Sequence, residues 1–249
     1  MKTFINFRKI VLVISVVLVA TFFSISHSAA DLVVIGEAKY LLDGNCYKLI
    51  YDDDVNGTQL TWLDFTKERR NWYGQTDYWV DGLGQALEVT LYPEYSSTID
   101  WTVGWRLPTT VDGQMVNGYD GTTTGGYNVT SSEMGHLFYE ELNNMGARDI
   151  NTGEYKTDEE LALNDTGPFD NLIFSYDGYW SDTKYSGQDG VAWGFGMYTG
   201  FQGIYPEGEG LYGIAVRPGQ VSMVPEPLTI FLLGFGLMGL AGIRRKLRR

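Results

Sequence analysis

The sequence predicts an α+β fold: a mostly antiparallel sheet with few helices and large loops, flanked by an N-terminal signal helix and a C-terminal apolar helix. Three observations carry that prediction. Strand-type alternation recurs along the middle of the chain, most clearly at residues 47–51 and 193–197. The 31 Gly in 249 residues suit many turns rather than long helices. The clearest helical spacing is confined to one segment, residues 131–144.

Taken in order, residues 1–30 read as a secretory signal. Lys2, Arg8 and Lys9 precede an apolar run over residues 10–25, and Ser28-Ala29-Ala30 puts small residues where a signal peptidase would cut, between Ala30 and Asp31. The run approaches spanning length, so an uncleaved anchor is the alternative. The exported domain then occupies 31–223. Residues 32–35 and 47–51 have strand character, and Asn56-Gly57 supplies a tight turn before 59–62, which makes a hairpin. A short helix is expected through 65–72. The main helix spans about 131–144: Thr130 and Glu133 have capping-box spacing, while Met134, Leu137, Phe138, Leu142 and Met145 share one face before Gly146. Trp193, Phe195 and Met197 alternate with Gly194 and Gly196, a strand with one bulky face and one bare one. Thr199-Gly200 then turns the chain into strands at 201–205 and 211–216.

Charge is segregated. Between the basic clusters at the two ends, ten Lys and Arg stand against all 31 Asp and Glu, a formal charge near −21. Such a domain repels phosphate backbones, which excludes nucleic acid as a partner. Cys46 stands alone, so no disulfide can form within the chain. Stability must come from a core, for which seven Trp, 17 Tyr and 12 Phe supply large apolar surfaces.

At residues 224–249, Val224-Pro225-Glu226-Pro227 leads into an uncharged apolar run over 228–243 and then Arg244, Arg245, Lys246, Arg248 and Arg249. The run is a marginal transmembrane helix, isolated from the domain by prolines that cannot donate a helical hydrogen bond. The basic flank stays cytoplasmic and leaves the acidic domain outside. This tail resembles the PEP-CTERM sorting signal in its Pro-Glu-Pro triplet, Gly-rich apolar helix and Arg-rich end. The resemblance implies recognition by an exosortase, with cleavage near Pro225, Glu226 and Pro227. It also implies transient inner-membrane anchoring, a destination at the cell envelope, outer surface or extracellular matrix, and a bacterium that makes biofilm polysaccharide. A permanent single-pass anchor is the alternative.

Within the domain, Gly104-Trp105-Arg106-Leu107-Pro108-Thr109 and Ser132-Glu133-Met134-Gly135-His136-Leu137-Phe138 resemble the Lcl C-terminal domain family. Leu60–Asp64, Tyr179–Thr183, Ala192-Trp193 and Ala215–Gly219 extend that resemblance over residues 40–219. It implies a C-type-lectin-like fold, similar also to formylglycine-generating enzymes, with Trp105 in the core and Arg106 bound to a carboxylate or backbone. Residues 118–126 and 145–166 enlarge the family's gaps as surface loops, where binding specificity sits. The paired cysteines of formylglycine-generating enzymes are missing, and so are the Glu-Pro-Asn and Gln-Pro-Asp triplets of calcium-dependent sugar lectins.

Catalytic residues do not stand out. Asp52, Asp54 and Asn56 at i, i+2 and i+4 before Gly57 open like a calcium loop, but position 12 would be Leu63; a metal-free hairpin turn explains the same residues. Calcium is the one cofactor the sequence suggests. His136 falls opposite the apolar stripe, on an expected solvated face near Glu133 and Glu140. Loop tyrosines Tyr92, Tyr95, Tyr119 and Tyr127 are the candidates for ligand binding. The expected function is a non-enzymatic binding or structural module at the cell surface. Its expected partners are signal peptidase, an exosortase, the membrane through the C-terminal helix, and extracellular polysaccharide or a surface protein. The alternative is a secreted polysaccharide hydrolase using a carboxylate pair.

Overall fold

The computed structural model describes residues 32–224. The expected signal helix and the apolar helix at 228–243 lie outside the described residues, within which no helix is long and apolar enough to cross a membrane. Strands β1 (Val33–Tyr40), β2 (Cys46–Val55) and β3 (Thr58–Arg70) form an antiparallel meander. The β2–β3 turn is the expected Asn56-Gly57 hairpin: Val55 pairs with Thr58, and φ is 51° at Asn56 and 82° at Gly57. A Cβ at Gly57 would meet nothing within 4 Å. Gly57→Ala should therefore lose only the backbone preference, about 1 kcal/mol in urea unfolding; a neutral result would mean the turn is not left-handed there.

Strand β4 (Leu87–Leu91) pairs with the free side of β1, and β5 (Tyr95–Ser97) follows it. The remaining strands are β6 (Asn117–Gly118), β7 (Gly125–Gly126), β8 (Tyr179–Lys184), β9 (Val191–Gly196), β10 (Phe201–Pro206), β11 (Leu211–Pro218) and β12 (Val221–Met223). Ten of the twelve make one sheet in the order β4-β1-β2-β3-β11-β8-β9-β10-β7-β6, and β5 with β12 makes a small ribbon. The β8–β11 and β6–β7 pairs are parallel. The fold is thus mostly β with one large mixed sheet, which corrects the α+β, C-type-lectin-like expectation. Alternation in sequence reports that a strand exists, but carries no information on which neighbour it meets or in which direction.

The helices are short. The first, α1 (Trp72–Gln75), runs through a π-helical turn at Thr76–Val80 into α2 (Asp81–Leu83) and a 3-10 turn at Gly84–Ala86. Next, α3 (Glu133–His136) runs into a π-helical turn at Leu137–Glu141, and α4 (Asp158–Leu161) follows. No helix forms over 65–72, because β3 continues to Arg70 and Phe65 packs on Tyr47 and Tyr40 with ring centroids 4.6 and 5.2 Å apart. The main helix is capped by Ser132, which accepts from the Gly135 amide, not by Thr130. Glu133 is diverted from the cap to Arg106, in a two-pronged ion pair with both bonds at 2.6 Å, and also accepts from the Thr109 amide at 2.7 Å. Arg106 exchanges backbone hydrogen bonds with Val216 of β11, so the expected role for its side chain holds and its backbone joins the sheet as well.

Side chains alternate between two cores, one on each face of the sheet. Leu49, Leu63, Trp180 and Ala215 join Trp72, Trp79 and Leu83 of the first helical segment, together with Trp105 and Leu107. Ile50, Trp62, Tyr179 and Val216 join Met134, Leu137, Phe138 and Leu142 of the second. The two halves of the sheet meet at β8–β11, where the register gives a single pair, Tyr212 with Tyr179. Side chains reinforce that seam. The Tyr179 hydroxyl meets Thr66 Oγ1 at 2.9 Å and accepts from the Ile173 amide at 2.8 Å, and Trp180 Nε1 donates to the Arg70 carbonyl at 2.9 Å.

Candidate functional site

The segments at 118–126 and 145–166 meet beside the β6–β7 end of the sheet. Asn128 ties them together from a left-handed conformation (φ 59°), its side-chain amide donating to the Tyr119 carbonyl at 2.6 Å and the Arg148 carbonyl at 3.1 Å. Its own amide donates to the Tyr139 hydroxyl, which donates in turn to the Gly200 carbonyl. Between these loops lies a cavity of about 280 Å³ lined by Asn117, Gly118, Tyr119, Tyr127, Arg148, Tyr155 and Phe201.

Aromatic faces dominate that cavity. Tyr127 packs against Phe201 at 5.2 Å and edge-on to Tyr155 at 6.5 Å. The Arg148 guanidinium lies 3.8 Å from the Tyr155 ring centroid and donates to the Gly153 carbonyl at 2.6 Å. One of its five N–H groups is thereby spent and its plane is fixed, which presents the remaining donors in a set direction. Tyr155 is 67 % exposed, a large ring left open to solvent. Burial raises the Tyr127 phenol above its ordinary pKa, so it enters neutral contacts as a hydrogen-bonding hydroxyl. The pocket can stack a flat, partly apolar ligand and hydrogen-bond its polar rim.

Two of the four predicted tyrosines, Tyr119 and Tyr127, are brought together here; Tyr92 and Tyr95 are not. Tyr92 follows β4 at the opposite end of the sheet, and Tyr95 pairs with Met223 in the β5–β12 ribbon. Sequence reasoning missed Arg148, Tyr155 and Phe201, although Tyr155 and Arg148 lie inside the second segment marked as an insertion.

The residues of the candidate calcium loop part company. Asp54 accepts from the Gly57 amide at 2.9 Å and Asn56 donates to the Thr130 carbonyl at 3.2 Å, both on the surface. Asp52 points inward, is 0 % exposed, and lies with His136 and Glu141 such that one ligand atom from each falls within 4.8 Å of the others. His136 Nε2 and Glu141 Oε1 are 3.1 Å apart. His136 is therefore buried rather than on a solvated face. In a regular α-helix residues 136 and 141 would project roughly 140° apart. The π turn between them, where the Leu142 amide reaches back to the Leu137 carbonyl, widens the spiral and sets them side by side. Burial, then the Glu141 charge, pushes the Asp52 carboxyl up to about 7. For His136, burial opposes the cation, but the Glu141 hydrogen bond and the nearby carboxylates outweigh it and raise its pKa.

Ala30, Asp31, Pro225, Glu226, Pro227, Arg244 and Arg245 lie outside the described residues. Residues 224–246 match a family model described as a PEP-CTERM protein-sorting motif, which agrees with the sequence reading of the tail. Such a motif implies processing by an exosortase and export with sorting to the cell surface. No curated protein and no solved structure matches the chain. The resemblance of residues 40–219 to the Lcl C-terminal domain family is accordingly without support.

Proposed function

We propose that this is a non-enzymatic surface protein whose Tyr119–Tyr127–Arg148–Tyr155 pocket holds a saccharide unit of an extracellular polysaccharide. In this reading, signal peptidase cuts after Ala30. The 228–243 run then anchors the chain in the inner membrane until an exosortase cuts near Pro225–Pro227, and the domain is delivered to the envelope surface or matrix. The observation that carries the binding role is the pocket, with three tyrosines and a phenylalanine around a fixed guanidinium. A pyranose offers C–H groups on one face, which suit the electron-rich face of a phenol ring, and hydroxyls at its edge for Arg148 and Asn117. The Asp52–Glu141 carboxylate pair is less suited to hydrolysis, because both side chains are sealed from solvent and no sugar ring could reach them.

The test is titration of the full-length chain with oligosaccharides released from the producing cells' matrix. Tyr155→Ala should weaken binding about tenfold, or ~1.4 kcal/mol, with the fold intact by circular dichroism. Equal affinity in the variant would remove the pocket from the account, and release of shortened glycans would replace binding by hydrolysis.

A further inference from the structure

We infer that Asp52, His136 and Glu141 form a binding site for one divalent transition-metal ion of the zinc size class. The three ligand atoms lie within 4.8 Å of one another. The 3.1 Å from His136 Nε2 to Glu141 Oε1, a hydrogen-bond distance in the empty site, is also short enough for both atoms to bond one ion at about 2.0–2.2 Å with a small outward adjustment toward tetrahedral angles. They come from separate elements: Asp52 from β2, His136 from the end of α3, and Glu141 from the π turn that follows it.

An independent observation points to a cation. Glu141 Oε2 is buried and has no hydrogen-bond partner, and the side chain as a whole is 2 % exposed. A buried carboxylate oxygen left unpaired is costly, and the cost falls away when a cation takes that lone pair. Two carboxylates and a dication sum to zero, which suits a site closed to water. Asp52 is steadied from behind: Trp62 Nε1 approaches its Oδ2 at 3.4 Å and the Asp54 amide its Oδ1 at 3.4 Å. Those contacts take one donor on each oxygen, and a carboxylate has about four lone-pair sites, so acceptor capacity remains for an ion while the side chain is held by outer-shell partners.

The donor set selects the ion. Imidazole with two carboxylates suits Zn²⁺, Mn²⁺ or Fe²⁺, whereas Ca²⁺ and Mg²⁺ take oxygen ligands. Binding displaces any proton held between His136 and Glu141, because the imidazole nitrogen must offer its lone pair to the ion. Three protein ligands leave one position of a tetrahedral ion without a side-chain ligand.

The experiment uses the full-length chain stripped with chelator and then loaded with Co²⁺ or Zn²⁺. About one equivalent should be retained after dialysis, with visible Co²⁺ absorption of a low-coordinate site and a raised Tm in Zn²⁺, while Ca²⁺ changes neither. Glu141→Gln and His136→Ala should each lower Zn²⁺ affinity by at least about tenfold. The chain has only one other histidine, so His27→Asn should leave binding unchanged. Retention of no metal by the wild type, equal retention by the His136 and Glu141 variants, or loss on His27→Asn would each overturn the site. Should a variant misfold, paramagnetically shifted imidazole resonances of the Co²⁺ wild type decide the matter: their presence in the His27→Asn chain supports the site, and their absence overturns it.

Discussion

Trp180→Ala is expected to destabilise the domain by about 4 kcal/mol, measured as a lowered urea midpoint. The residue is 0 % exposed, packs edge-on against Tyr205 with centroids 6.2 Å apart, and belongs to the core on one face of the sheet. Truncation leaves a cavity the size of an indole and an unpaired Arg70 carbonyl. Location magnifies the loss. The halves of the sheet share a single β8–β11 register pair, so side-chain packing supplies what the backbone ladder does not. Trp180→Phe keeps most of the volume and loses the N–H, and should cost about 1–2 kcal/mol. If both variants lose the same stability, the hydrogen bond rather than the packing holds the seam.

Glu133→Ala is the second large effect, about 3 kcal/mol. It strands a guanidinium whose side chain is only a quarter exposed, and it orphans the Thr109 amide. Breaking one partner of a fully buried pair costs about 3–5 kcal/mol, and the partial exposure here puts the value at the low end. A double-mutant cycle separates pair from parts: Arg106→Leu with Glu133→Leu should recover at least about 1 kcal/mol relative to the sum of the single changes. Strict additivity would mean that the two side chains do not stabilise one another.

These residues mark what the sequence made legible. The Asn56-Gly57 hairpin, the 193–197 strand and the two that follow it were readable, because turn chemistry and period-2 alternation are local. The mixed topology was not, since the Tyr179–Tyr212 contact joins strands more than thirty residues apart and leaves no local trace. The site shows the same division. The cluster of oxygen ligands before Gly57 singled out Asp52 as metal-like, but its companions come from a helix more than eighty residues on. A helical wheel at 3.6 residues per turn cannot foresee them, because the π turn breaks that period between His136 and Glu141. Likewise Tyr119 and Tyr127 were found as loop aromatics, whereas Arg148 and Tyr155 gain meaning only from Asn128 drawing their loop alongside.

The ribbon of β5 and β12 has a mechanical consequence. The sorting motif begins at residue 224, directly after β12, and the Val224 amide is still bonded to the Glu94 carbonyl at 2.8 Å. Tension arriving along the chain from that side therefore loads three residue pairs, Val221–Ser97 to Met223–Tyr95, before it reaches any ladder of the large sheet. Those pairs yield first, releasing residues 219–224 as about 20 Å of slack. The ribbon is thus a fuse: it gives way under a pull and lengthens the tether, drawing Val221 from the edge of one core while the other core and the ten-stranded sheet keep their own contacts.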